Sequence, residues 1–543
     1  MTKKRILWGM PAMVFVCGLV LAGCASAPTN SGGGGNNADP AAAKLAKDLK
    51  AIGPKGGTVT LSDRVRLNTA LTVPEGVILD LTAEGAALEL QDGAVLTVNG
   101  TVRATGHGDH GKGWVDGSLR VGDGVAVING SGTINLTSKG RLLNIGSDKD
   151  KKRQLTLDGV TLAGLPDNDH PLVGIGENGV FILKSGKITG NTRSSDEWAG
   201  GGGVAVYKGT FTMEGGTISG NSAQGKDGSG GGGVRIGEEA VFTMIGGEIT
   251  GNSASGDKHS SGGGVDVWRG TFTMEGGTIS GNSAQGKDGS GGGGGVQIGE
   301  ESVFTMSGGI ISGNGAVSKA DYASGGGVRV YEGSTFTMSG GEISGNSVNG
   351  GTGARGGGVA VEKGTFTMSG GTITGNNCIG DRDVANGGGV DISRNNKSVF
   401  TMTGGRISGN TLTGGRLCQG AGVSLGLGPT REIPTFIMQG GTISGNTATG
   451  GRSGNNGGGV MINAGMFILE GGTIYGSANR LPAGTDASLA NSANANASLH
   501  AGNPDDATTK WGSGGTYTKG GVSQSGGSNI GSTNDTLIAI PAK

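Results

Sequence analysis

Three aromatic side chains recur at one place in a repeated sequence pattern. Tyr207, Trp268 and Tyr331 each follow directly after a Val-x-Val triplet, and Trp198 and Tyr322 lie in the variable loops beside them. Alternation of apolar residues is typical of a β-strand, so the three aromatics are expected on neighbouring strands of one surface. Exposed aromatic faces suit the rings of a glycan or a partner protein. The alternative is that each ring packs over a neighbouring glycine and binds nothing.

Charged side chains occupy the middle of the same triplets. Arg235 and Asp266 hold this position in successive copies, and we expect an exposed ion pair worth a few tenths of a kcal/mol. Cleavage of a polysaccharide would need carboxylates that recur beside a basic residue, or paired carboxylates at glycosidase spacing. No such set recurs, so no catalytic residue, metal site or cofactor is predicted. A polysaccharide lyase or glycoside hydrolase remains the alternative.

The elements that would position these residues are repeats. Among 543 residues there are 123 glycines and 11 phenylalanines, and all but one of the phenylalanines recur about every 31 residues. They are Phe181, Phe211, Phe242, Phe272, Phe304, Phe336, Phe366, Phe400, Phe436 and Phe467. A period of this length indicates a solenoid whose repeats have no separate core. Because apolar residues alternate within each repeat, the sequence predicts three short strands per coil of a parallel β-helix.

Composition and charge exclude other classes of protein. Glycine does not occupy every third position and there are only 12 prolines, which excludes a collagen triple helix. The 42 basic and 43 acidic residues give a net charge of −1, so no nucleic-acid partner is predicted. The apolar share of 34% disfavours a single compact globule.

An asparagine follows glycine in each copy of the repeat. Its amide can donate and accept along a stack, and asparagine tolerates a left-handed backbone. The column resembles the asparagine ladder of right-handed parallel β-helices such as pectate lyases, which implies a structural role for Asn221, Asn252, Asn282, Asn314, Asn346 and Asn376.

The repeats also resemble those of the polymorphic outer-membrane proteins, which are surface β-helical adhesins. The residues that carry this resemblance are Gly-Gly-Thr-Ile at 215–218, 276–279, 370–373, 440–443 and 471–474. The resemblance implies display on a bacterial surface and binding to a host matrix protein or a glycan.

The N-terminal segment has the pattern of an export signal. Basic residues at 3–5 precede an apolar run over 6–21, and Leu-Ala-Gly-Cys at 21–24 resembles the bacterial lipobox. By that resemblance residues 1–23 are a lipoprotein signal peptide and lipid on Cys24 anchors the protein to a membrane. A plain secretory signal or a short anchor is the alternative. Because Ala25 and Ser26 follow Cys24 directly and neither is acidic, the resemblance implies the outer membrane of a two-membrane bacterium, facing the surface or the periplasm.

The predicted organisation of the chain is linear. A flexible tether over 24–38 precedes a capping helix over 39–53, irregular coils over 57–178, ten regular repeats over 179–476 and a C-terminal cap over 477–543. The expected fold is all-β, a single-stranded right-handed parallel β-helix of about fifteen coils.

The predicted function is that of an envelope-anchored, non-catalytic adhesin or display rod. A passive surface antigen is a further alternative. Cys378 and Cys418 lie in loops of adjacent coils, and the sequence leaves open whether they form a disulfide.

Overall fold

A computed structural model represents the protein. It describes residues 39–475, apart from 110–113, 147–149, 394–397, 427–433, 452–453 and 463–465, together with five short strands beyond residue 475. Residues 1–23 and 24–38, including Cys24, lie outside the described residues, so the signal peptide, lipidation and tether stay predictions. Most of the predicted C-terminal cap over 477–543 lies outside them too.

Residues Ala38–Lys543 form one compact unit, and its fold is a parallel β-solenoid, which confirms the predicted fold class. Each regular coil contributes one strand to each of three long sheets, which we name sheets 1, 2 and 3. Sheet 1 comprises Gly57–Thr60, Val77–Asp80, Thr101–Ala104, Thr133–Leu136, Thr161–Ala163, Lys187–Thr189, Thr217–Ser219, Glu248–Thr250, Thr278–Ser280, Ile310–Ser312, Glu342–Ser344, Thr372–Thr374, Arg406–Ser408, Thr442–Ser444, Gly472–Ile474 and Ile538–Ile540. Sheet 2 comprises Ala70–Val73, Val95–Val98, Gly124–Asn129, Arg153–Asp158, Gly179–Leu183, Thr210–Met213, Val241–Met244, Thr271–Met274, Val303–Met306, Thr335–Met338, Thr365–Met368, Val399–Met402, Thr435–Met438, Met466–Leu469, Thr516–Lys519 and Val522–Ser525. Sheet 3 comprises Leu143–Ile145, Val173–Ile175, Val204–Val206, Val234–Ile236, Val265–Trp268, Val296–Gly299, Val328–Tyr331, Val359–Glu362, Val390–Ile392, Val423–Leu425, Val460–Ile462 and Leu499–Ala501.

The 12 strands of sheet 3 define about 12 complete turns. The prediction of about fifteen coils is slightly high because the first coils place their corresponding strands in a separate three-stranded sheet. That sheet comprises Arg64–Leu67, Ala87–Leu90 and Leu119–Val121, and a further short pair comprises Gly108–Asp109 and Trp114–Val115. The last strands of sheets 1 and 2, Ile538–Ile540 and Val522–Ser525, pair antiparallel with their neighbours.

The segment after each ladder asparagine also forms strands, which the sequence does not predict. Its glycines and serines align with those of the next coil, so each backbone amide finds a partner in the next copy. Sheet 4 comprises Thr192–Ser195, Ser222–Gly225, Ser253–Gly256, Ser283–Gly286, Gly315–Ser318, Ser347–Gly350, Asn377–Gly380, Thr411–Gly414, Thr447–Thr449 and Ser492–Ala493. Sheet 5 comprises Trp198–Gly200, Gly228–Gly230, His259–Ser261, Ser290–Gly292, Tyr322–Ser324, Gly353–Arg355, Val384–Asn386, Leu417–Gln419 and Gly454–Asn456.

Identical side chains stack through the core. Phe211 pairs in register with Phe242, and every phenylalanine of the series is fully buried. From Phe211 to Phe436, successive ring centroids lie 4.6–4.8 Å apart and the ring planes differ by only 3–6°. This distance equals the spacing between adjacent strands of a sheet, so backbone hydrogen bonding between coils determines the distance between the rings.

The ladder asparagines form one continuous hydrogen-bonded column. From Asn221 to Asn376, each side-chain Nδ2 donates to Oδ1 of the asparagine in the next coil over 2.9–3.1 Å. The left-handed backbone belongs to the glycine before each asparagine, as at Gly313 with φ of 62°. The asparagines therefore stabilise the solenoid through hydrogen bonds of their side-chain amides, and their tolerance of a left-handed backbone is not used.

A short helix, Pro40–Ile52, precedes the first coil. Asp39 accepts a hydrogen bond from the Ala41 amide over 2.9 Å at the N-terminus of the helix. Leu45 and Leu49 are buried against the first strands. The helix ends in a 3₁₀ turn over Gly53–Lys55, and it covers backbone that an open solenoid end would expose. Among the described residues, no helix has the length and apolar character that a membrane span requires.

Candidate functional site

A groove runs along the outside of sheet 3 where sheet 5 packs against it. Its floor is a column of outward residues of sheet 3, namely Gly174, Ala205, Arg235, Asp266, Gln297 and Arg329 in successive coils. One wall consists of the first residues of the sheet 5 strands, Trp198, Gly228, His259, Ser290 and Tyr322. The other wall carries Tyr207, Trp268 and Tyr331. We name this feature the lateral groove.

The lateral groove widens to a cavity of about 660 Å³ beside Trp198 and Tyr207. The floor is low at this point because Gly174 and Ala205 carry almost no side chain. Trp198 is 40% exposed and Tyr207 is 52% exposed, so both rings present surface to a ligand. We name Trp198, Tyr207, Arg235 and Trp268 station one.

Arg235 connects the two walls of station one. Its guanidinium carbon lies 4.1 Å from the ring centroid of Trp198 and 6.0 Å from that of Trp268. Cation–π contacts of this kind favour a fixed ring orientation. On the other wall, the Tyr207 hydroxyl donates to a carboxylate oxygen of Glu238 over 3.1 Å.

Two further arginines, Arg141 and Arg193, line the same cavity. Arg193 donates through Nη1 to the Gly200 carbonyl, and its buried Nε has no hydrogen-bond partner among the described residues. Burial lowers the pKa of Arg193 to about 10, the charges of Arg141 and Arg235 act in the same direction, and Asp169 opposes them. Because the guanidinium groups repel one another, an anion in the cavity would stabilise all three.

The ion pair between Arg235 and Asp266 is present, but it is buried rather than exposed. The two side chains are only 18% and 4% exposed. Sheet 5 covers them, and it can approach because a Cβ on Gly230 would lie 2.5 Å from the Asp266 carboxylate. Burial raises the pKa of Asp266 and lowers that of Arg235, while their mutual attraction opposes both shifts. Loss of either partner would therefore leave an uncompensated buried charge.

A second aromatic and arginine cluster lies farther along the lateral groove, around a cavity of about 260 Å³. The guanidinium carbon of Arg355 lies 4.6 Å from the Tyr322 ring centroid, and that of Arg329 lies 4.8 Å from the Tyr331 ring centroid. Arg329 also donates to one carboxylate oxygen of Glu362 through Nη2 at 2.6 Å and Nε at 3.1 Å. We name Tyr322, Arg329, Tyr331 and Arg355 station two.

Two carboxylates adjoin station two. Burial alone would raise the pKa of Glu362, but the charges of Arg329 and Arg355 hold it below its usual value. Asp391 is 3% exposed, and its Oδ2 has no hydrogen-bond partner among the described residues. Burial raises the pKa of Asp391 to about 7, with Arg355 opposing and Glu362 reinforcing the rise. The sequence did not indicate this cluster because its members come from different coils.

The substitution Asp391→Asn is expected to stabilise the protein more at pH 8 than at pH 5. In the folded protein the pKa of Asp391 is about 7, whereas an unfolded chain has an aspartate pKa near 3.9. The folded state therefore holds one more proton than the unfolded state between these pH values. Its stability falls as pH rises from about 4 to 7, by up to about 4 kcal/mol in all, and it changes little above 7. Thermal unfolding midpoints at the two pH values measure the effect.

Asp381→Asn is the matched control for this prediction, since Asp381 is an exposed aspartate of the same coil. Because Asp381 is exposed, its replacement should change stability by less than about 0.5 kcal/mol. An Asp391→Asn variant with the same pH dependence as the parent would contradict the assignment.

Two of the three predicted aromatics, Tyr207 and Tyr331, have a glycine beside the ring, as the glycine-packing alternative expects. A Cβ on Gly237 would lie 3.3 Å from a Tyr207 ring carbon, and a Cβ on Gly299 would lie 3.8 Å from a Tyr331 ring carbon. The exposed faces of Trp198 and Tyr207 remain available.

Cys378 and Cys418 are free and buried. Both belong to a second small core between sheets 4 and 5, formed by Ala316, Ala323, Val348, Ala354, Cys378, Ala385, Leu412, Cys418, Ala421 and Ala448. Burial raises the pKa of the Cys418 thiol to about 11, so the thiol is a poor nucleophile at neutral pH.

Sequence reasoning missed the arginines that come from sheets 4 and 5. Arg193 pairs in register with Ala223, and Arg355 stands where other coils carry Gly230 or Gly292. A long cation at a position that the other described coils fill with small or uncharged residues is a signal that an alignment of the repeats could have found. Comparison with known proteins finds no match for this chain among protein-family models, curated proteins or solved structures.

Proposed function

We propose that the protein is an envelope-anchored surface adhesin that binds an anionic glycan in the lateral groove. One observation carries the proposal: Arg141, Arg193 and Arg235 line a cavity that two exposed aromatic rings also face. Aromatic faces stack on sugar rings, and guanidinium groups pair with carboxylate or sulfate.

The charge balance of station one favours an anionic ligand over a neutral one. The Asp266 carboxylate pairs with Arg235, whereas Arg193 keeps a buried Nε without a hydrogen-bond partner among the described residues. A ligand carboxylate in the cavity would reduce the repulsion among the arginines, and it could accept hydrogen bonds from those guanidinium N–H groups that solvent reaches. Charge-assisted hydrogen bonds of this type are about twice as strong as neutral ones.

The sequence supports the location of the proposed adhesin. The lipobox-like segment at 21–24 and lipid on Cys24 would anchor the chain to a membrane, and the Gly-Gly-x-Ile repeats resemble those of surface adhesins. On this proposal the lateral groove is displayed outside the outer membrane and meets a host matrix glycan.

The triple variant Trp198→Ala, Tyr207→Ala and Trp268→Ala is expected to bind acidic glycan at least tenfold more weakly than the parent. Loss of stacking accounts for the change, since each aromatic contact contributes about 0.5–1.5 kcal/mol beyond its buried area. Titration calorimetry of the full-length protein in detergent measures the effect, with hyaluronan oligosaccharides as the acidic probe and chito-oligosaccharides of equal length as the neutral probe.

A control variant removes three partly exposed apolar side chains from other faces. Val241, Val303 and Ile310 are 39%, 41% and 41% exposed on sheets 1 and 2, and their triple alanine variant should bind like the parent. If the aromatic variant binds acidic glycan as tightly as the parent, these three aromatic residues do not form the binding site. Failure of the parent to bind acidic glycans, including heparin oligosaccharides, would favour the passive antigen.

A polysaccharide-cleaving enzyme is the second candidate, because Glu362 and Asp391 adjoin Arg329 and Arg355. The environments of the two carboxylates shift their pKa values in opposite directions, as an acid and base pair requires. Against this candidate, Asp391 is almost completely buried, so a substrate would not reach it. Release of new reducing ends or unsaturated sugars during the binding assay would favour the enzyme.

A further inference from the structure

The two stations of the lateral groove occupy equivalent places in different coils. Trp198 and Tyr322 are both the first residue of a sheet 5 strand, and their strands are four coils apart in the order of that sheet. At the spacing of adjacent β-strands, this separation is roughly 19 Å along the solenoid axis.

The stations share one construction. In each, an arginine from the following coil stacks on the sheet 5 aromatic: Arg235 on Trp198 and Arg355 on Tyr322. In each, the opposite wall also carries an aromatic ring, Tyr207 at station one and Tyr331 at station two. Two sites with the same chemistry on one side of the solenoid can bind two parts of the same ligand.

Polar side chains lie between the two stations, where sheet 5 covers part of the floor. The floor runs from Arg235 through Asp266 and Gln297 to Arg329, and the Gln297 amide oxygen accepts from Arg329 Nη1 over 3.3 Å. On the wall, the His259 ring nitrogen Nδ1 lies 3.1 Å from the Ser290 hydroxyl. Hydroxyl, amide and imidazole groups of this kind suit the hydroxyl groups of a sugar chain.

From this juxtaposition we infer that stations one and two bind a single extended anionic polysaccharide that runs parallel to the solenoid axis. The inference rests on the proposed function and deepens it, because it names a polymer rather than a terminal sugar as the ligand. A peptide fits less well, since extended peptides add to an unpaired strand edge. Beside the groove, the strands of sheet 3 and all strands of sheet 5 except the first described one, Trp198–Gly200, already pair on both sides.

Chain length should therefore control affinity. A disaccharide reaches one station, whereas an octasaccharide spans the roughly 19 Å between them. Once one station is occupied, binding at the other becomes intramolecular, which can increase affinity by about 100-fold without new contacts. Calorimetric titration of the full-length protein with hyaluronan disaccharide, tetrasaccharide and octasaccharide measures this dependence.

Variants at station two separate the two sites. The double variant Tyr322→Ala and Arg355→Gln should bind the octasaccharide about 100-fold more weakly than the parent and the disaccharide no more than twofold more weakly. Tyr322→Trp keeps an aromatic face and should retain the dependence on chain length. Because Tyr322 is 40% exposed, its replacement should leave the thermal unfolding midpoint unchanged.

The outcomes distinguish this inference from the proposed function. If disaccharide and octasaccharide bind equally, or if the double variant keeps the length dependence, the two-station inference is wrong and the adhesin proposal stands. If neither hyaluronan nor heparin oligosaccharides bind at any length, both fail. Binding of a matrix protein alone would overturn both as well.

Discussion

Replacement of Phe336 by alanine is expected to lower the free energy of unfolding by about 4 kcal/mol. The Phe336 ring is fully buried and lies 4.7 Å from the ring centroids of both Phe304 and Phe366. Alanine would leave a cavity and interrupt the ring stack. In a solenoid each coil contacts only its neighbours, so the loss should be concentrated in these coils. Hydrogen exchange measured by mass spectrometry would detect it as faster exchange there.

Thr337 provides the control for this prediction. It is the next residue of the same strand, and its side chain points to the opposite face. Thr337→Ala should change stability by less than about 1 kcal/mol. Equal effects of the two substitutions would show that the buried stack contributes little to the solenoid.

Replacement of Asn314 by alanine is expected to destabilise the protein by about 3 to 5 kcal/mol. The Asn314 Nδ2 donates to the Ile279 carbonyl and to Asn346 Oδ1, both over 2.9 Å. Its Oδ1 accepts from the backbone amide and from Nδ2 of Asn282, both over 3.0 Å. Alanine would leave these buried groups without their side-chain partners, because Asn314 is only 1% exposed. The thermal unfolding midpoint measures the loss.

Gln285→Ala removes an amide of similar chemistry from the surface. The Gln285 Nε2 donates to the Ser283 hydroxyl over 3.1 Å in an exposed setting, so its loss should change stability by less than about 0.5 kcal/mol. The double variant Asn314→Ala and Asn346→Ala should cost less than the sum of the single variants, because the two residues share hydrogen bonds. Strict additivity would contradict a connected ladder.

Periodicity made the core of the solenoid predictable from sequence. Phenylalanine, valine and isoleucine recur at fixed places in each copy, so their pairing in register follows once one coil is known. The N-terminal helix was predictable for a different reason, since aspartate and proline at its start are local signals.

The lateral groove was harder to predict because its outer wall comes from segments with little strand propensity. A stretch such as Gln-Gly-Lys-Asp-Gly-Ser, at 224–229, reads as a loop. It forms strands only because the neighbouring coils supply backbone partners. These strands cover the column of Arg235 and Asp266, which turns an expected surface ion pair into a buried one. The candidate site is therefore created by the coverage of one sheet by another, which no single repeat reveals.

Because coils of similar sequence stack in register, the solenoid can also tolerate the deletion of whole coils by recombination. Residues 209–233 and 270–294 are identical in sequence, and their strands lie two coils apart. Recombination between the two copies would delete two whole coils. It would join strands of the same sequence, so the hydrophobic core of the shortened solenoid would remain complete. The product would have Trp198 and Tyr322 two turns apart instead of four. If the two stations bind one polysaccharide as we propose, such an event would shorten the ligand that the protein prefers, and a change in the number of coils would change its specificity.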